Sequence, residues 1–117
     1  MSKSILFSFR HAPYGSSLAR EGLDALLAAA VYEQEIAALF LNDGVFQLLQ
    51  GQESRFGKNH GKMLTALPVY GVDRIYVHQP SLRHRGLTEK NLILPVSLLS
   101  NTDTQQLLGS FDQILSF

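Results

Sequence analysis

The side chains able to do chemistry in this chain are four histidines, ten carboxylates and ten basic groups, and its 117 residues include no cysteine. A missing thiol excludes disulfides, thiolate metal sites and any redox or persulfide step carried on the chain's own sulfur. His11, His60, His78 and His84 have no helical pair spacing and no acidic partner at motif distance, so their pattern marks no metal site. No serine lies in a G-x-S-x-G turn, which leaves a hydrolase triad without local support. Gly15-Ser16-Ser17 stands where a helix N-terminus could receive an anion, but it lacks the G-x-G-x-x-G pattern and reads as a turn with a cap. The stretch Gly51 to Lys58 fails as a phosphate-binding loop, because its glycines are one residue too far apart and Asn59 replaces the Ser or Thr. A receiver-type acidic pair after the first strand is missing, since Arg10-His11 holds that position. No cofactor is expected.

Basic residues cluster at Arg55-Lys58-His60-Lys62 and at Arg83-His84-Arg85. Without interleaved aromatics these read as a solvated loop and a helix end, and direct RNA contact is not expected. Formal net charge is zero, whereas a chain that grips nucleic acid by bulk charge carries a basic excess. A charged fraction of 17% beside a hydrophobic fraction of 45% points to an oligomer or a complex subunit. The segment Val45-Phe46-Gln47-Leu48-Leu49 needs a cover for its apolar side chains. Two readings stay open: it folds back onto the sheet, or it meets another subunit.

The elements that position these residues alternate along the chain. Ser4 to Phe9 is a short apolar strand, broken by the turn-forming His11-Ala12-Pro13-Tyr14-Gly15. Leu23, Leu26, Leu27, Ala30 and Val31 recur at i, i+3, i+4, i+7 and i+8, a helical stripe that leaves Arg20, Glu21 and Asp24 to water. Ser16 or Ser17 is its candidate N-cap. Ile36 to Leu41 is a continuous apolar run closed by Asn42-Asp43-Gly44, a strand buried on both faces. Met63 to Leu67 reads as helix ending near Pro68, Arg74 to Val77 as a third strand, and Leu92 to Val96 as a fourth. Pro95 cannot donate to a ladder, so that strand's end belongs at an edge or outside the sheet. Thr102 to Gly109 is helical with Leu107 and Leu108 inward, and Asp112 to Phe117 is a fifth strand. Residues 1–117 therefore form a single α/β domain, a three-layer α/β/α arrangement around a five-stranded, mostly parallel sheet. At this length roughly two-thirds of the unfolded surface can be buried without staples. No secretory signal and no apolar window near the ~20 residues of a membrane span is present, so a soluble, cytoplasmic protein is expected. Ligands of such sheets bind beyond the carboxyl ends of the strands, which directs attention to His11–Ser17, Asn42–Leu49 and His78–Gly86.

At these same loops the chain resembles the DsrE/DsrF-like small α/β proteins, and among them the subunits of the bacterial Tus sulfur relay. The resemblance rests on Ala12-Pro13-Tyr14-Gly15, on Arg20-Glu21-Gly22-Leu23-Asp24-Ala25-Leu26-Leu27-Ala28 and on Asp43-Gly44-Val45-Phe46-Gln47-Leu48-Leu49. It continues in Ser81-Leu82-Arg83-His84-Arg85-Gly86-Leu87 and Phe111-Asp112-Gln113-Ile114-Leu115-Ser116-Phe117. The resemblance implies a heterohexamer with TusB-like and TusD-like partners, which takes persulfide sulfur from a TusA-like donor and passes it to a TusE-like acceptor. The product of that route is 2-thiouridine at the wobble position of tRNA. In the TusD-like partner the sulfur-carrying cysteine lies just after strand three, and the matching place here is His78 or its neighbour Val77. The family's catalytic role therefore does not carry over. The chain reads as a non-catalytic structural subunit, with Phe46, Leu48, Leu49 and His78 as candidate interface residues. A DsrF-type subunit in sulfur oxidation, or a stand-alone module binding a small ligand or nucleotide, are the alternatives.

Overall fold

The computed structural model describes residues 3–32, 35–51 and 58–117. Its elements are β1 (Ser4–Phe9), α1 (Leu18–Ala30), β2 (Glu35–Phe40), a 3-10 segment (Asn42–Leu48), α2 (Lys58–Thr65), β3 (Arg74–His78), α3 (Gln79–His84), β4 (Ser97–Leu99), α4 (Asn101–Leu108) and β5 (Gln113–Ser116). Short 3-10 turns at Leu67–Tyr70 and Glu89–Asn91 complete the order. The Gly51–Lys58 stretch, with Arg55, lies largely outside the described residues.

All five strands are parallel, in the order β4-β3-β2-β1-β5. From β1 to β4 each connection steps in one direction, so right-handed crossovers place α1, α2 and α3 on one face. The return from β4 to β5 passes over β1–β3 and places α4 on the other. Packing follows this topology. Alternate strand residues Phe7, Phe9, Ile36, Ala38, Phe40, Ile75 and Val77 meet Leu23, Leu26, Leu64 and Leu82 in the larger core. The intervening Leu6, Ala37 and Leu39 meet Leu107, Leu108 and Phe111 in the smaller one. Central strands buried on both faces need apolar residues at every position, which is why Ile36–Phe40 is an unbroken run.

The helix end and the fourth strand differ from the sequence expectation. Ser17 occupies the N-cap of α1, but its hydroxyl donates to the Glu21 carboxylate, and it is Ser16 whose Oγ accepts a backbone N–H, that of Leu18 (3.4 Å). The fourth strand is Ser97–Leu99, not Leu92–Val96. Leu92 instead makes an antiparallel bridge with Leu49, Ile93 N–H donates to the Leu48 carbonyl (2.8 Å), and Gln50 Nε2 donates to the Leu92 carbonyl (2.8 Å). These backbone groups are spent before Pro95, which has no N–H to offer a ladder. β4 starts two residues later, at the sheet edge.

Phe9 centres the larger core, stacking on Phe40 at 4.8 Å between centroids and on Phe117 at 6.4 Å. α1 approaches these rings through Gly22, where a Cβ would lie 2.7 Å from Phe9 and 2.8 Å from Phe117. Helix propensity alone favours alanine over glycine by about 1 kcal/mol. The clash outweighs it: Gly22→Ala is expected to lower the unfolding free energy by about 1–3 kcal/mol in urea titrations. The exposed Asp24→Ala on the same helix should shift it by less than about 0.5 kcal/mol.

Candidate functional site at the carboxyl ends of the strands

Each strand hands its chain to a connection at the same end of the sheet, and side-chain hydrogen bonds tie these connections to one another. After β2 the backbone turns sharply at Asn42, whose φ of 52° is the one positive value outside glycine among the described residues. That turn drives the 3-10 segment back over β1. Gly44 sits so close that a Cβ there would meet the Phe9 carbonyl oxygen at 1.9 Å. The turn also leaves the Asn42 N–H without a helical acceptor, and Ser81 Oγ in the first turn of α3 accepts it at 2.8 Å.

Ser81 Oγ lies 2.6 Å from His78 Nδ1, and His78 Nε2 lies 2.6 Å from Asn101 Oδ1 at the start of α4. With Asn101 presenting its oxygen, Nε2 carries the proton, and Nδ1 of the neutral ring accepts from the Ser81 hydroxyl. The order serine, imidazole, amide is formally that of a nucleophile with its base and orienter. Ser81 is only 4% exposed, however, and its oxygen already receives the Asn42 N–H. A nucleophile needs room for a reacting carbonyl, so these groups form a structural relay.

A second relay lies beside it. Gln47 Nε2 donates to the His11 carbonyl (2.8 Å), which fixes the amide so that Gln47 Oε1 accepts from His60 Nε2–H (2.8 Å). It joins the β1 connection, the 3-10 segment and α2. Gln47 is 2% and His60 6% exposed. Burial pushes the His60 imidazole below its ordinary value of 6.5, Arg20 adds to the shift, and Asp24 opposes it.

Arg85 forms the third tie. Its Nε and Nη2 donate to Asp43 Oδ1 (3.1 and 2.9 Å), its Nη1 donates to the Ser81 carbonyl (3.1 Å), and its guanidinium stands 5.9 Å from the Phe46 ring centroid. The side chain is half-buried, so this charge-assisted contact is screened less than an exposed ion pair.

The four expected site residues separate by depth. His78 is half-buried in the first relay, Phe46 is half-buried beside Arg85, and Leu49 is half-buried at the bridge to Leu92. Leu48 is fully buried in the chain's own core. Its side chain supports this end of the sheet from beneath and is not available to a partner, because the 3-10 repeat turns Val45 and Leu48 inward together. The segment thus folds back onto the sheet at Val45 and Leu48 and leaves Phe46 at the surface. Among the described residues no group of three His, Asp or Glu side chains could hold a metal ion.

Sequence reasoning placed Arg83-His84-Arg85 at a helix end, as found, but counted His78–Gly86 among the loops and so missed the start of α3 at Gln79. Pro80 in the first helical turn was the available signal, since its fixed φ suits that position. It also missed Ser81, Gln47 and Asn101, polar residues whose roles depend on long-range contacts.

A model of the DsrE/DsrF-like family matches residues 3–117. The chain belongs to the DsrE/DsrF-like family. Its relatives include the "Protein TusC homolog" of Vibrio vulnificus (strain CMCP6), 40% identical over 115 residues that cover 97% of this chain and 98% of the relative. The protein of the same name from Pseudomonas aeruginosa is 41% identical over 118 residues, 99% of each chain. Among solved structures the E. coli ychN protein superposes with a TM-score of 0.86 at 26% identity, covering 98% of this chain and 99% of that one. A Methanobacterium thermoautotrophicum protein of unknown function shares the fold, with a TM-score of 0.72 at 14% identity over 99% of this chain and all of that one. In this DsrE/DsrF-like chain the end of β3 carries an imidazole bound into a relay.

Two outcomes follow. His60 is held neutral on folding, so its contribution to stability is complete above an ordinary pKa of 6.5 and falls as pH drops below it. The unfolding free energy should decline on acidification with a slope of up to about 1.4 kcal/mol per pH unit from this group. His60→Gln, which can still donate to Gln47, should flatten that slope in urea titrations at stepped pH. Leu48→Asp places a carboxylate in the closed core and should abolish the cooperative unfolding transition, rather than yield a folded chain deficient only in assembly.

Proposed function

We propose that this chain is a non-catalytic structural subunit of a cytoplasmic sulfur-relay complex that supports 2-thiolation of the wobble uridine of tRNA. The observation that carries the reading is the occupant of the β3 end. In a family resembling a persulfide relay, that position holds His78, its ring bound to Ser81 and Asn101, and the chain has no cysteine anywhere. Sulfur in transit must then ride on another subunit, and this chain contributes a surface. TusB-like and TusD-like chains in a heterohexamer are the partners of that surface, with TusA-like donor and TusE-like acceptor proteins contacting the whole assembly. The TusC homologues matched over nearly full length support the same role.

Phe46 and Leu49 are the apolar side chains offered to a neighbour, with His78 beside them. Phe46 is backed by Arg85, whose bonds to Asp43 and Ser81 hold the ring's surroundings in one arrangement before any partner arrives. Such pre-organisation lowers the ordering cost of association.

Phe46→Asp should give a folded chain with unaltered circular dichroism that no longer co-purifies with co-expressed TusB-like and TusD-like subunits. Cells carrying it in place of the wild type should lose 2-thiouridine from tRNA digests analysed by mass spectrometry. Co-purification at wild-type yield together with normal thiolation would overturn the assignment.

A further inference from the structure

The last turn of α3 and its C-cap carry three basic residues in different circumstances. Arg85 is committed to Asp43 and to the Ser81 carbonyl. Arg83 and His84 are exposed, and among the described residues neither side chain makes a hydrogen bond or an ion pair. Both follow Pro80 by a single helical turn, and the three line an open hollow of about 370 Å³ on the outer side of α3. The negative end of the helix favours cations here but leaves the guanidinium's planar fork directed at solvent chemistry. The one carboxylate on the neighbouring 3-10 segment, Asp43, is taken by Arg85. Among the described residues the Arg83 guanidinium is thereby left without an ion-pair partner beside a carbon-rich surface.

That combination selects a ligand class. Nucleic-acid backbones are held by a succession of cations matched to successive phosphates, and a single guanidinium with one imidazole does not provide that. One carboxylate adjoining an apolar side chain does match, with the guanidinium as a bidentate donor and the proline ring as a floor. We propose that the hollow lined by Pro80, Arg83 and His84 is a docking site for an acidic protein segment, whose carboxylate takes the Arg83 guanidinium while a neighbouring apolar side chain lies on Pro80. It is separate from Phe46 and independent of the sulfur-relay reading, so the failure of either leaves the other standing.

The test uses the full-length chain, isotopically labelled, titrated with a blocked peptide of alternating glutamate and leucine and followed by NMR. Saturable shifts are expected at the Arg83 Nε–H and the His84 ring, abolished by high salt, with affinity about tenfold weaker in Arg83→Ser. Because Arg83 is exposed and unpaired, the variant's remaining spectrum should be unchanged. No saturable shift at these groups, an equal response to the glutamine–leucine counterpart, or tighter binding of a short oligouridylate would each overturn the proposal.

Discussion

The hydrogen bond from the Asn42 N–H to Ser81 Oγ is the constraint on which the functional end of this molecule depends. β2 is buried on both faces and must end abruptly, and the chain turns through a left-handed residue to do so. Such a conformation is unfavourable for a residue with a Cβ and persists where its surroundings over-determine it. Here the surroundings are the buried hydroxyl of Ser81 on one side and the Gly44 contact with the end of β1 on the other. Removing the hydroxyl would orphan a backbone donor, a loss that exceeds the net worth of an ordinary hydrogen bond.

From that bond the polar ties spread across the whole edge. The Ser81 hydroxyl donates to His78 Nδ1, and His78 Nε2–H donates to Asn101 Oδ1. Arg85 fastens α3 to Asp43, and Gln47 fastens the same 3-10 segment to His11 and His60. The connections after β1, β2, β3 and β4 thus form one continuous polar lattice over an apolar foundation of Phe9, Val45 and Leu48. Connections at a sheet's carboxyl edge are ordinarily its most mobile parts. In this chain their polar side chains are turned on one another. The arrangement suits a surface that must hold its shape for a neighbour, and it leaves the serine–imidazole pair closed to a substrate.

Much of this was legible in the sequence, for identifiable reasons. The run Ile36–Leu41 formed a buried strand as far as Phe40, and the helical stripe formed through Leu23 and Leu26, while Val31 lies past the helix end and is exposed. The segment Val45–Leu49 was ambiguous because apolar composition does not say which side chains turn inward. The 3-10 repeat decides it, burying Leu48 and leaving Phe46 at the surface. Leu92–Val96 misled because its composition is that of a strand while its backbone partners, Leu48 and Leu49, lie more than forty residues earlier. The relays were invisible for the same reason. Glutamine, serine and asparagine carry no periodic signal, and the separation of 23 residues between His78 and Asn101 acquires meaning only after the β3–β4 crossover is folded.

These connections form one rigid unit with the sheet, a property that native-state hydrogen exchange reads residue by residue. Under conditions where exchange reports opening free energies, the amides of Asn42, Gly44 and Leu49 should exchange only with the large-scale opening that releases the amides of β2. Exchange of those three through a low-energy local opening, while β2 stays protected, would contradict that rigidity.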